Sequence, residues 1–180
     1  MAETSADIIK RYLEDAIAAE KSFETQLEGF AKEGDDTVAQ AAFSQHAAET
    51  KRQYERLTAR LEALGGSPSS AKSFLAHVFG VSPKAAQIGH EKEERTTQNL
   101  MMAYAVENSE IAMYEALVSV AEAAGDTQTA SLAREIQAEE KRAAETVWKL
   151  LPNAAVQAFQ RVTGGTAGTY APTGSHATAL

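Results

Sequence analysis

Acidic side chains at mid-helix positions, with one histidine among them, are the part of this sequence that could do chemistry. Glu20 falls within the run Leu13, Ala16, Ile17, Phe23, Leu27, where apolar residues recur at three- and four-residue steps. His46 and Glu49 stand three apart, as do Glu107 and Glu110, and Glu139 and Glu140 fall between Ile136 and Ala143. A three-residue spacing puts both side chains on one helical face. A charge on an inward stripe is tolerated when it is paired or bound to metal, and few Lys or Arg share these stripes. One or two cations at a common centre would neutralise the group. Cysteine is absent. That excludes disulfides, thiolate zinc sites, iron–sulfur clusters and a cysteine nucleophile. Oxygen and imidazole donors remain, and they suit iron, manganese and zinc alike.

Four long helical segments must position these residues. The first is predicted over about 5–32, with Asp7 or Ser5 as N-cap. It breaks at Gly34-Asp35-Asp36-Thr37, where Gly stops a helix and Asp or Thr caps the next. The second runs over about 37–64 and stops at Gly65-Gly66. The third runs over about 91–124 and ends at a second tight break, Gly125-Asp126-Thr127. The fourth runs over about 128–151, where Pro152 ends it, with a weaker helical piece continuing through Val156, Phe159 and Val162. No period-two strand pattern occurs. The connection between the second and third helices is too long for a hairpin and is predicted to hold a short helix over 72–79. Two tight breaks and one long crossover give an all-α, antiparallel four-helix bundle of ferritin-like connectivity. Residues 1–162 are expected to form this domain. Residues 163–180, rich in Gly, Thr, Ala and Ser, are expected to form a flexible tail.

The two hairpins also resemble each other. At a constant offset of 90 residues, Glu20 falls on Glu110, Leu27 on Leu117, Asp36 on Asp126 and Thr37 on Thr127. On the following helix, Ala48-Glu49-Thr50-Lys51-Arg52 mirrors Ala138-Glu139-Glu140-Lys141-Arg142 without a gap. The repeat predicts a pseudo-two-fold bundle in which the carboxyls of Glu20, Glu49, Glu110 and Glu139 converge. It selects Glu139 over Glu140, whereas the apolar stripe of Ile136, Val147 and Leu151 favours Glu140. Glu107 reads either as a ligand or as an outer acceptor. His46 reads either as a ligand or as a hydrogen-bonded core histidine. Tyr104 and Tyr114 read either as groups that hydrogen-bond ligands or carry electrons, or, more commonly for such tyrosines, as packed core with a wet tip.

Several of these segments resemble the YciF/YciE-type ferritin-like proteins. His46-Ala47-Ala48-Glu49-Thr50 is similar to their His-x-x-Glu-Thr, Ala19-Glu20-Lys21 to their first-helix Ala-Glu-Lys, and Glu139-Glu140-Lys141 to their fourth-helix Glu-Glu-Lys. The run Glu107-Asn108-Ser109-Glu110-Ile111-Ala112-Met113-Tyr114 is similar to their third-helix Glu-His-Tyr-Glu-Ile-Ala-x-Tyr, with Asn108-Ser109 in place of His-Tyr. The resemblance spans about residues 8–151. It implies a stress-associated, rubrerythrin-like bundle with a di-iron or di-manganese site.

The expected function is that of a di-metal carboxylate protein holding two ions, iron first, with manganese and zinc as alternatives. Its expected chemistry is iron oxidation linked to oxygen or peroxide. The metal residues are expected among Glu20, His46, Glu49, Glu107, Glu110, Glu139 and Glu140. The alternative is a non-enzymatic stress-associated bundle acting through dimerisation or protein interaction. The net charge of −8 argues against broad nucleic-acid binding. No apolar run approaches membrane-span length, and Met1 to Arg11 lacks a signal-peptide pattern. A cytoplasmic homodimer is expected.

Overall fold

The computed structural model describes residues 3–68 and 89–165. The short helix expected over 72–79, and the tail from residue 166 on, lie outside the described residues. Helix α1 spans Ser5–Phe30 and opens on a capping box. The Asp7 N–H donates to the Thr4 hydroxyl and the Thr4 N–H to the Asp7 carboxylate, both at 3.2 Å. The cap is therefore Thr4, and Asp7 acts as the third-position acid of the box instead of as the cap itself.

Helix α2 spans Thr37–Ala63, and Asp36 caps it by accepting from the Val38 and Ala39 N–H groups at 2.9 and 3.1 Å. The turn before it needs Gly34. Its φ is +77°, and a Cβ there would lie 2.3 Å from Thr96 Oγ1. Helix α3, Arg95–Ala123, follows a single 3₁₀ turn at Lys92–Glu94. Helix α4, Thr127–Thr163, is capped by Asp126, which accepts from the Thr129 N–H at 3.0 Å.

Pro152 does not end α4, contrary to the sequence expectation. A proline removes its own N–H and crowds the carbonyl one turn back. The turns beyond it bury Ala154 and Ala158, and Arg161 pairs with Asp35 at 2.6 Å. That packing offsets the lost backbone bond.

Side-chain contacts fix the packing. Phe23 meets His46 and Phe30 meets Phe43 between α1 and α2. Gln137 donates to the Ile111 carbonyl, and Arg134 pairs with Glu122, between α4 and α3. Tyr114 reaches Glu20, and Asn99 reaches Glu33, between α3 and α1. Gln53 reaches Glu140, and Arg60 pairs with Asp126 at 2.7 Å, between α2 and α4. In every pair the numbering rises on one helix as it falls on the other, so all four neighbours are antiparallel. The described residues contain no strand. No described helix is long and apolar enough to cross a membrane.

The core divides into two apolar clusters. One gathers around Leu13, Leu57, Leu61, Leu117 and Ile136. The other gathers around Phe23, Leu27, Phe43, Leu100 and Val106. Burying each such side chain contributes roughly 1.5–3 kcal/mol. On α1, α3 and α4 the ionisable layer lies between them in sequence, whereas on α2 His46 stands between Phe43 and Ala47 of the second cluster. Glu20 stands between Ile17 and Phe23, and Glu140 between Ile136 and Val147.

Candidate metal centre

Helical periodicity explains which polar groups face inward. On α2 the buried stripe is His46, Thr50, Gln53 and Leu57, in steps of four, three and four. On α4 the corresponding stripe runs Ile136, Glu140, Ala143 and Val147. On α3 it carries Glu107, Glu110 and Tyr114, and on α1 Ile17 and Glu20. Glu20, Glu107 and Glu140 are fully enclosed, and Glu110 is 1% exposed.

These groups converge. His46 Nε2 lies 2.6 Å from Glu107 Oε1 and 3.9 Å from Glu140 Oε2. His46, Glu107 and Glu140 each present a donor atom within 4.8 Å of the other two. Tyr114 donates to Glu20 Oε1, and Gln53 Nε2 donates to Glu140 Oε1 at 2.6 Å. Much of the layer has no hydrogen-bond partner. Glu20 Oε2, Glu140 Oε2, both oxygens of Glu107 and Glu110, and both ring nitrogens of His46 are buried without one. The close His46–Glu107 approach is therefore a contact of charges outside hydrogen-bond geometry. Buried polar atoms are nearly always satisfied. Orphans concentrated at one depth, all of them oxygen or imidazole nitrogen, match the donor set of a divalent transition metal.

The electrostatics carry the same signature. Burial pushes the Glu20 carboxyl up to about 8, against the pull of the Tyr114 hydrogen bond and of His46. Burial, then Glu20 and Glu107, hold Glu110 well above the carboxylate range. Burial, then Glu20, Glu107 and Glu110, do the same to Glu140. Burial alone would lower the His46 imidazole, but Glu107, with Glu49 and Glu20, overrides it and raises it to about 9. Without a cation the layer holds its protons, because close like charges cannot all ionise in a dry interior.

Two of the four carboxyls expected to converge do not enter the layer. Glu49 is half-buried, with Oε2 3.9 Å from His46 Nδ1, behind the imidazole. Its carboxyl is lowered, chiefly by His46. Glu139 stands at the rim, where it accepts from Arg56 at 2.9 Å and from Gln53 at 3.0 Å. The repeat places Glu49 and Glu139 equivalently, but both stand one residue, or about 100° of helix, away from the inward positions Thr50 and Glu140. Gln53 and Tyr114 join the site beyond the predicted set. The α2 stripe of four-, three- and four-residue steps would have singled out Gln53. Tyr114, seven residues after Glu107, lies on the same face of α3.

The DUF892 family model, described as a domain of unknown function, matches residues 4–160. The chain belongs to that family. Among solved structures, a protein from Xanthomonas campestris is 28% identical, with a TM-score of 0.75, covering 89% of this chain and 99% of its own. The E. coli stress protein YciF is 26% identical, also with a TM-score of 0.75, covering 86% and 98%. The YciF-type ferritin-like resemblance read from the motifs is thus borne out. Ferritin-like, diiron-carboxylate proteins from Bacillus anthracis share the fold, with a TM-score of 0.62 at 18% identity, covering 83% of this chain and 98% of theirs.

Proposed function

We propose that this protein is a di-metal carboxylate protein of the ferritin-like class, holding two ions between its hairpins, iron first, with manganese or zinc as alternatives. The observation that carries this reading is the buried layer of unpartnered carboxylate oxygens and imidazole nitrogens between two apolar clusters. Glu20, His46, Glu107, Glu110 and Glu140 would hold the ions directly. When ionised, the four enclosed carboxylates carry four negative charges, which two divalent cations would balance.

A bound iron pair would supply one-electron chemistry toward oxygen or peroxide. The protein's own residues would do the rest. Glu49 stands behind His46 and can hold its Nδ1 proton, leaving Nε2 to ligate. Tyr114 fixes Glu20, and Gln53 fixes Glu140. The flanking apolar clusters exclude bulk water. Glu139, tied to Arg56 at the rim, belongs to the outer support of the centre. The likeness to a stress protein supports a stress-related role for this chain. A homodimer in the cytoplasm is the proposed assembly, and Phe159 and Val162, apolar and exposed on the last turns of α4, support it. Residues 1–162 are proposed as one domain, followed by a tail.

Anaerobic titration with ferrous ion, followed by oxygen, tests the reading. Saturation near two ions per chain, and a ferric absorption band after oxygen, are expected. No binding, or binding with no ferric band, would refute the oxidative role. A chelator that leaves the melting temperature unchanged would favour the non-enzymatic alternative.

A further inference from the structure

The internal repeat fails where the donors sit. At the offset of 90, Glu20 matches Glu110, but His46 is answered by Ile136, Glu140 by Thr50, Gln53 by Ala143, and Glu107 by Ile17. All of these residues are buried, so the difference lies in the lining of the centre and not on its surface. Among the described residues, the only imidazole of the layer stands against Glu107 and Glu140, the three donors mutually within 4.8 Å. The remaining carboxyls, Glu20 and Glu110, lie outside that trio, and the Tyr114 hydroxyl donates to Glu20.

Resting on the di-metal reading, we propose that the two metal positions are unequal: His46, Glu107 and Glu140 form a tight nitrogen–oxygen position that fills first, and Glu20 and Glu110 form a weaker oxygen-only position that fills second.

Three observations support the order. First, the tight trio is already assembled. Gln53 fixes Glu140 at 2.6 Å, Glu49 stands behind the imidazole, and the Phe23 ring packs edge-on to it at 5.6 Å. Less ordering remains to be done on binding there. Second, each position contains one carboxyl with neither oxygen held by a hydrogen bond, Glu107 in the first and Glu110 in the second, so what separates the two positions is the packed imidazole. Third, an imidazole ligand favours zinc, cobalt, nickel and iron over the harder manganese and magnesium, whereas carboxylates alone discriminate less. The first position is therefore selective for borderline transition metals, and the second is permissive.

The test is calorimetric titration of the full-length, metal-free protein with zinc and, separately, with manganese. Zinc is expected to bind in two steps of one equivalent each, the first tighter by at least about 100-fold, more than loss of an outer partner alone brings. His46→Gln should abolish the tight step and reduce the preference for zinc over manganese. Glu110→Gln should abolish the weak step and keep the tight one. Far-ultraviolet circular dichroism checks that both variants fold. One equivalent of cobalt(II) added to the parent protein gives a measurement free of any variant. A strongly shifted imidazole N–H proton resonance should be complete at that point. Two equal zinc steps, a tight step that survives His46→Gln, or an imidazole signal that appears only with the second equivalent would overturn the inequality and leave the di-metal reading standing. Failure of the parent to bind any metal would overturn both.

Discussion

Removing metal from this protein should invert the usual dependence of stability on pH. The folded state pushes Glu20 up to about 8 from an ordinary 4.5, chiefly by burial, and holds Glu110 and Glu140 in the same direction. His46 is raised from 6.5 to about 9 by Glu107 and its neighbours against burial. A folded value above the unfolded one means that the native state keeps a proton the unfolded chain has lost. The stabilisation is then complete below the unfolded value and disappears as pH rises through the folded one. For Glu20 the window runs from about 4.5 to about 8, and for His46 from about 6.5 to about 9. Within its window each group removes roughly 1.4 kcal/mol of stability per pH unit, against a typical total of roughly 5–15 kcal/mol. A domain of this size would lose roughly 3–6 °C of melting temperature per pH unit for each group. Asp7, lowered to about 2 at the exposed start of α1, acts only in acid and leaves this window alone. Thermal melts of chelator-treated protein from pH 5 to 9 provide the assay. A melting temperature that falls steadily is expected. One that is flat or rising between pH 5 and 8 would refute the account of a proton-holding layer. With metal bound, the trend should reverse, because protons compete for the same ligands.

Further outcomes follow from single sites. Glu110→Gln removes one ionisable group from a crowd of four, so at pH 8 the metal-free variant should be more stable than the parent by on the order of 1–3 kcal/mol. Metal analysis should find fewer ions per chain in it. Gly34→Ala should cost about 1–3 kcal/mol by denaturant titration, since its φ of +77° and the Thr96 hydroxyl at 2.3 Å both oppose a Cβ. Pro152→Ala restores a helical N–H inside α4 and should stabilise by about 1–3 kcal/mol without altering metal content.

The bundle was legible because Gly-Asp breaks and three- and four-residue apolar steps are local signals. Asp36 and Asp126 cap where the breaks placed them, and α2 begins at Thr37 as expected. The inward acids of α1 and α3 were legible for the same reason, since Glu20 and Glu110 sit in unambiguous stripes. The fourth helix was harder. The offset of 90 correctly pairs Glu49 with Glu139, but equivalence says nothing about which side of the stripe both occupy. A single residue decides that, and the stripe through Ile136, Glu140 and Val147 carried the answer. Gln53 lies on the buried stripe of α2, but the group it holds there, Glu140, is 87 positions away and leaves no local signal. Pro152 misled for the opposite reason. A local breaker was overridden by packing from distant residues, among them Asp35 against Arg161.

The central claim is that a metal pair sits among Glu20, His46, Glu107, Glu110 and Glu140. Anomalous scattering from crystals of the full chain, grown with ferrous ion under anaerobic conditions and recorded on both sides of the iron edge, tests it most directly. Two anomalous peaks roughly 3.5–4 Å apart, enclosed by those side chains between the apolar clusters, are expected. Peaks confined to surface carboxylates, or no peak within the bundle, would contradict it.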